Sequence, residues 1–327
     1  MQSTIGEIKV FAANANQGLA NAVVKHLGID LGNSKANRFA DGEIDMRVLE
    51  TVRGSDVFII QSTSPPVNDN LMELLIMIDA MRRSSAERIT AVIPYYGYAR
   101  QDRRARSHDP ISAKLVADLL TTAGANRVLT MDLHCPQIQG FFNIPLDHLQ
   151  GIYFFANYCQ KGFGDMSDVV VVSPDFGSVA RCNIFASQLD VPLAIADKRR
   201  GEDGTPVIAN FIGDVKGKHA IIIDDVLSTG GSLCNAAAKV MEHGAKSVIA
   251  CITHPILCEN AVQLIADSVL SEVIVLNTVE IPKENLHPKI KMLSVAPLIG
   301  EAIKGIHSGR SIGQLSKLWA LTDTVIS

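Results

Sequence analysis

The segment Ile221–Ser232, IIIDDVLSTGGS, joins an apolar run to two carboxylates and a Thr-Gly-Gly-Ser turn. A buried strand would end in Asp224 and Asp225, and the helix SLCNAAAKVME would begin at the turn. Gly230 and Gly231 permit a tight backbone and close approach of a ligand. Free N–H groups at a helix start, with the helix dipole behind them, favour a phosphate. Ser228 lies in the same turn, and Thr229 and Ser232 add hydroxyl donors. Asp224 and Asp225 repel phosphate but suit the hydroxyls of a sugar, or a metal. An acid pair beside an anion cradle therefore points to a phosphorylated sugar. Either feature alone would be only an acidic strand end or a capped helix. Neither G-x-x-x-x-G-K-[ST] nor G-x-G-x-x-G occurs, so this is not one of the common nucleotide loops.

Other polar stretches carry charge that a core would not need. Val92–Leu115 sets Arg100, Arg103, Arg104 and Arg106 among Tyr95, Tyr96 and Tyr98. Guanidinium groups bind polyphosphate bidentately, so in a chain of net charge −4 this cluster reads as an anion site. Arg38–Ile44, RFADGEI, sets Phe39 between charges. His134 follows Asp132 at a strand end, where a lone histidine would usually be structural. Lys198–Arg200 precedes the Gly-rich segment GEDG, which suits a flexible lid.

These motifs need a frame that brings them to one edge. Short apolar runs recur at Ile8–Ala12, Val57–Gln61, Thr90–Pro94 and Val128–Asp132. A second series follows at Val169–Ser173, Leu193–Asp197, Ala220–Ile223, Val248–Ile252 and Val273–Leu276. Helical patterns intervene, such as Leu71–Arg83 and Ile111–Ala123, the latter with Asp109 as N-cap and Pro110 in the first turn. Strand–helix alternation predicts an α/β fold of two doubly wound, mostly parallel-sheet domains. The domains are expected at 1–150 and 151–307, with 308–327 packing back on the N-terminal domain. In such folds ligands sit beyond the carboxyl ends of the strands. Asp132–His134, Asp175, Lys198–Arg200 and Asp224–Ser232 all fall there.

At 327 residues, with 47% hydrophobic and 20% charged, the composition is globular. The acidic balance argues against general affinity for nucleic acid or an anionic membrane. Six cysteines form no C-x-x-C pattern, the N-terminus has no signal-peptide pattern, and no apolar run reaches the roughly 20 residues a bilayer requires. A cytoplasmic protein with reduced thiols is the expectation.

The Asp224–Ser232 stretch resembles the phosphoribosyl pyrophosphate loop of phosphoribosyltransferases. FADGE, IQSTSPPVNDNLMELLIMIDA, VIPYYGYARQDRRAR, MDLHCPQIQGFFNIP, VVSPD, DKRR and IIIDDVLSTGG then occur in order between Val10 and about Ile312. Together they resemble the ribose-phosphate pyrophosphokinase family. The resemblance implies transfer of the pyrophosphoryl group of ATP to the anomeric hydroxyl of ribose 5-phosphate, in domains of phosphoribosyltransferase type. It implies Phe39, Asp41, Gly42 and Glu43 on the adenine side of ATP, with Phe39 stacking on the base. Arg100 and Gln101 match an ATP-binding pair. His134 and Asp175 match Mg²⁺ positions. Lys198 and Arg200 match a mobile catalytic loop, Arg200 also facing ribose 5-phosphate. Asp224, Asp225, Ser228, Thr229, Gly230, Gly231 and Ser232 match the ribose 5-phosphate site. A hexamer built from dimers is implied, with the ATP half completed by a neighbouring subunit.

The chain departs from the family pattern at Ser228 (usually Asp), at Phe176-Gly177-Ser178 (usually x-Gly-Gly), in the loop GEDGTPV, and in the C-terminal SIGQLS. The last bears on a phosphate and ADP regulatory site that the resemblance also assigns to Arg53. A phosphoribosyltransferase would share Asp224–Ser232 but has no use for FADGE plus YARQDR. A catalytically weak regulatory homologue is the alternative that the departures motivate.

Overall fold

The computed structural model describes residues 6–200, 206–316 and 325–326. Along the chain the elements are β1 (Ile8–Ala12), α1 (Gln17–Leu27), β2 (Ser34–Arg38), β3 (Ile44–Val48), β4 (Asp56–Ile60), α2 (Val67–Arg83), β5 (Arg88–Ile93), α3 (Ser112–Ala123), β6 (Arg127–Met131) and β7 (Leu146–Leu149). Then come α4 (Ile152–Phe163), β8 (Val169–Ser173), α5 (Val179–Leu189), β9 (Leu193–Arg200), β10 (Pro206–Ile212), β11 (His219–Leu227), α6 (Gly231–Glu242), β12 (Ser247–Pro255) and α7 (Ala261–Asp267). The described chain closes with β13 (Glu272–Leu276), β14 (Ile290–Leu293), α8 (Ala296–Ser308) and β15 (Val325–Ile326).

Two compact units result. The first holds residues up to Gln150, Thr278–Glu280 and the segment from Val295 through 316. Its sheet runs β1-β4-β5-β6-β7, every pair parallel. Strand β4 is DVFII with all five residues buried, as a strand covered on both faces must be. One face packs Phe11, Val57, Ile59, Ala91 and Val128 against Leu74, Met77 and Ile78 of α2 and Val116 and Leu120 of α3. The polar hairpin β2–β3 stands apart as its own two-stranded sheet.

The second unit holds Gly151–Asn277, Ile281–Ser294 and 325–326. Its sheet runs β10-β9-β8-β11-β12-β13-β14-β15, antiparallel only at the two edges. The chain goes from β8 to β9 on one side, then returns to lay β11 on the other side of β8. Strand order reverses there. Loops leaving β8 and β11 diverge at such a point and open a crevice at the carboxyl ends.

Two expectations are corrected. Helix α8 belongs to the first unit, although sequence reasoning runs the second domain to residue 307. The reason is polar as well as apolar: His26 of α1 meets Glu301 at 2.9 Å, Arg88 Nη2 donates to the Ile306 carbonyl at 3.1 Å, and His307 Nδ1 lies 2.8 Å from Asp56 Oδ2. A side chain at Gly300 would sit 2.6 Å from the His26 ring, so only glycine allows α1 and α8 to pack this closely. Residues 308–316 continue in the first unit, where Ser316 Oγ accepts from the Gln150 N–H at 3.1 Å. Val325–Ile326 instead adds an edge strand to the second sheet. The second correction is at α3. Its N-cap is Ile111, without a side-chain bond, because the Asp109 carboxylate is turned back onto the Arg106 N–H at 2.8 Å. Among the described residues no helix is long and apolar enough to cross a membrane.

Asp56 is fully buried at the amino end of β4 and takes both Arg88 Nε (2.8 Å) and Nη2 (2.5 Å). Removing one partner of a buried pair strands the other charge, at a cost of about 3–5 kcal/mol. Asp56→Ala is therefore expected to lower unfolding free energy by that amount in urea titrations. A loss under about 1 kcal/mol would show that the pair does not hold the first unit together.

Candidate functional site

The crevice in the second unit collects the strongest chemistry. Residues Ala220–Ile223 of β11 are buried; Asp224 is largely covered and Asp225 is buried. Beyond Leu227 the chain turns through Ser228, Thr229 and Gly230. The Ser228 carbonyl is tied to the Cys258 N–H at 2.9 Å, and Gly230 adopts φ +80°, which permits the turn. Helix α6 starts at Gly231 with no side-chain cap. Its first N–H groups thus have no side-chain acceptor, and the space beside Gly231 is open to 4 Å. Thr229 and Ser232 are exposed there. This is the geometry of an anion cradle next to an acid pair.

Arg181 on α5 is the residue that sequence reasoning missed. Its Nη1 lies 2.7 Å from Asp225 Oδ1 and 3.2 Å from Asp224 Oδ1. It spans from the element after β8 to the end of β11, across the point of strand reversal. Two adjacent acids ending an apolar strand could have signalled that a cation must approach them, although not which one. Burial, then the Asp225 charge beside it, push the Asp224 carboxyl up to about 7, with Arg181 opposing. The Asp224 carboxyl is therefore held above the ordinary carboxylate range.

Asp175 follows β8 on the same side of the crevice. Its Oδ1 accepts from the Ser178 N–H at 2.9 Å and its carbonyl from Ser173 Oγ at 2.7 Å, which fixes the loop at the start of α5. Ser178 has φ −90° and ψ −4°, open to any residue, so replacing the family's second glycine costs no strain here. Phe176 is 58% exposed. Lys198 and Arg200 lie on β9, the neighbour of β8, and β9 turns back antiparallel into β10. Their side chains, and the loop 201–205 expected as part of a lid, lie outside the described residues.

In the first unit the motifs also sit at strand ends. The β2–β3 hairpin presents Phe39–Glu43 at its tip, all exposed, with Phe39 at 52%. Gly42 at φ +95° and bonds from the Phe39 N–H to the Glu43 carbonyl (2.8 Å) and from the Glu43 N–H to Asp41 Oδ1 (3.1 Å) shape that tip. After β5, Tyr95 and Tyr96 are buried rather than ligand-facing, and Tyr96 Oη donates to the Ala113 carbonyl at 2.9 Å. They moor a loop whose Arg100, Arg103, Arg104 and Arg106 are exposed. Gln101 is braced by its N–H to the Tyr98 carbonyl at 2.9 Å and by Ser112 Oγ at 2.5 Å. After β6, Asp132 has φ +36°, and the Leu133 N–H donates to His148 Nε2 at 2.9 Å, which fixes the approach to half-buried His134.

His134 belongs to the first unit and Asp175 to the second. Among the described residues no three His, Cys, Asp or Glu side chains gather to hold a metal. Each residue alone is a single donor, an imidazole or a carboxylate, on a loop at the carboxyl end of its own sheet.

The chain matches the N-terminal domain of ribose phosphate pyrophosphokinase over residues 8–124 and the phosphoribosyl synthetase-associated domain over residues 203–317. It is 55% identical over 309 residues to the ribose-phosphate pyrophosphokinase of Caldanaerobacter subterraneus subsp. tengcongensis, spanning 94% of this chain and 97% of that one. The chain belongs to the ribose-phosphate pyrophosphokinase family. The family member from Clostridium tetani is also 55% identical over 309 residues, spanning 94% of this chain and 97% of its own. The crystal structure of phosphoribosylpyrophosphate synthetase from Mycobacterium smegmatis matches with a TM-score of 0.88 at 44% identity, over 93% of this chain and 99% of that chain. Two α/β units with mostly parallel sheets are thus the family fold.

The raised Asp224 value has a measurable consequence. The folded protein holds this proton more tightly than the unfolded chain, where an aspartate ionises near its ordinary 3.8. Ligand-free stability therefore falls as pH rises from about 4 to about 7. Asp224→Asn cannot ionise. Its stability relative to the unmodified chain, measured by urea unfolding at each pH, is expected to improve steadily through that window. A difference that stays flat would contradict the raised value.

Proposed function

We propose that this chain transfers the pyrophosphoryl group of ATP to the anomeric hydroxyl of ribose 5-phosphate, giving 5-phosphoribosyl 1-pyrophosphate and AMP. The observation that carries the reading is the acid pair Asp224–Asp225 beside the uncapped start of α6, in a chain of this family.

In this reading the 5-phosphate rests on the N–H groups and hydroxyls of Ser228–Ser232. Asp224 and Asp225 accept hydrogen bonds from the ribose hydroxyls and orient the sugar. Phe39 stacks on adenine, with Asp41, Gly42 and Glu43 beside it, and Arg100 and Gln101 hold the ATP. The first unit thereby carries the ATP-side motifs and the second the sugar site. A neighbouring subunit completes the ATP half, in a homohexamer that works in the cytoplasm. His134 and Asp175 would each stand at an Mg²⁺ position, and the metal would supply charge neutralisation on the triphosphate.

The anomeric oxygen attacks the β-phosphorus, its proton passes to solvent, and AMP departs with the α–β bridging oxygen. Such a transfer depends on positioning and charge neutralisation more than on covalent help from the protein. Lys198 and Arg200 meet the negative charge that develops as AMP leaves, and Arg200 also faces the sugar phosphate. Loss of one such cation costs on the order of a hundredfold in rate.

Purified protein with ATP, Mg²⁺ and ribose 5-phosphate is expected to release AMP one-to-one with product. Release of ADP instead would make the chain an ordinary kinase and end this reading. Lys198→Ala is expected to cut kcat by about a hundredfold while KM for ATP stays near its original value, because the cation acts in the transition state. A raised KM with unchanged kcat would make Lys198 a ground-state contact.

A further inference from the structure

Strand β2, SKANR, contains no buried residue, so apolar burial does not fix where it lies. Its partner strand contributes only the partly buried Met46 and Val48 to the core. The hairpin nevertheless ends in the Phe39–Glu43 tip, whose position must be set by something.

Glu73 on α2 is 3% exposed. Among the described residues no lysine or arginine pairs with it. Its carboxylate accepts instead from three N–H donors: the Asn14 backbone at 2.5 Å, Asn14 Nδ2 at 3.0 Å and Gln61 Nε2 at 3.3 Å. Burying a carboxylate costs several kcal/mol, which an apolar side chain would avoid. A carboxylate retained in the core without a cation therefore points to a bond that only it can make.

That bond fixes Asn14. Both hydrogens of its side-chain amide are committed, one to Glu73 Oε2 and the other to the Ala36 carbonyl at 2.9 Å. Ala36 is the central residue of β2, opposite Met46 and three residues before Phe39. Gln61 closes the network, accepting from the Ala15 N–H at 2.9 Å and donating to the Asn70 carbonyl at 3.2 Å. A second tie lies one helical turn before Glu73, where Asp69 of α2 pairs with Arg38 at 3.1 Å. The hairpin is held on α2 at two points.

We infer that Asn14 and Glu73 are positioning residues for the nucleotide: Glu73 orients Asn14, Asn14 holds β2, and β2 sets the pose of the Phe39–Glu43 tip. Neither residue touches ATP. The inference rests on the reading of that tip as the adenine side of the ATP site.

The test is steady-state kinetics on the full chain, with Phe39→Ala as the reference. Asn14→Ala and Glu73→Gln are each expected to raise KM for ATP about five- to tenfold, the effect of losing about one net hydrogen bond of positioning. kcat should stay within about twofold and KM for ribose 5-phosphate should not change, because the sugar site is untouched. Asn14→Ala with Glu73→Gln in one chain should be no worse than the poorer single variant, since the two act in series. Asn14→Ser replaces Asn14→Ala if the latter does not fold. If Phe39→Ala raises KM for ATP and the Asn14 variant does not, the pin is wrong and the adenine reading stands. If Phe39→Ala also leaves KM for ATP unchanged, the adenine reading fails and takes the inference with it. Higher KM for both substrates together with a lower urea midpoint would mean general damage and would overturn the positioning role.

Discussion

Parallel strands covered on both faces have no solvated side on which to place a polar group. The five buried residues of β4 and the buried run Ala220–Ile223 of β11 show how strict this is. Charge is excluded along their length and reappears where the strands end. The structure uses the two ends differently. At the amino ends of β4 and β5, Asp56, Arg88 and His307 close a polar cluster that binds α8 to the first sheet. At the carboxyl ends lie the loops that carry His134, Asp175 and the Asp224–Ser232 turn.

In the second unit the same constraint creates the crevice. With β11 laid beside β8 and the following strands continuing away, no connection crosses the gap between the two loop ends. Arg181 bridges them through charge. It neutralises Asp225 closely and Asp224 more loosely, at 2.7 and 3.2 Å. Two adjacent carboxylates can then stand at a buried strand end without forcing the turn apart. The looser contact leaves burial and the neighbouring Asp225 charge to raise the Asp224 carboxyl. A phosphate would be held separately, by backbone N–H groups whose conformation Gly230 secures.

Much of this was legible from residue types. Buried strands announce themselves as β-branched runs, so β1 and β8 have the bounds expected and β4, β5, β6 and β13 differ by a residue or two. The polar strands gave no such signal. SKANR has no apolar alternation, and its ties to the rest of the unit run to Asn14 and Asp69, both distant in sequence. Helix α8 is amphipathic and could have served either unit; the contacts of His26, Asp56 and Arg88 decide it. Asp109 looks like a cap by spacing, yet a left-handed His108 turns the backbone so that its carboxylate meets Arg106 instead. The motif residues were readable because their types state the chemistry. Arg181 and Glu73 were not, because their meaning lies in partners 43 and 59 residues away.

The chemical core of the account is attack at the β-phosphorus, with the pyrophosphoryl group moving intact. ATP carrying ¹⁸O in its α–β bridge tests this directly, since ³¹P NMR resolves the isotope shift on each product. Reaction with ribose 5-phosphate is predicted to leave the label in AMP and none in the sugar pyrophosphate. Label retained with the pyrophosphate would mean cleavage on the other side of the bridge, at the α-phosphorus, and would contradict the assigned reaction.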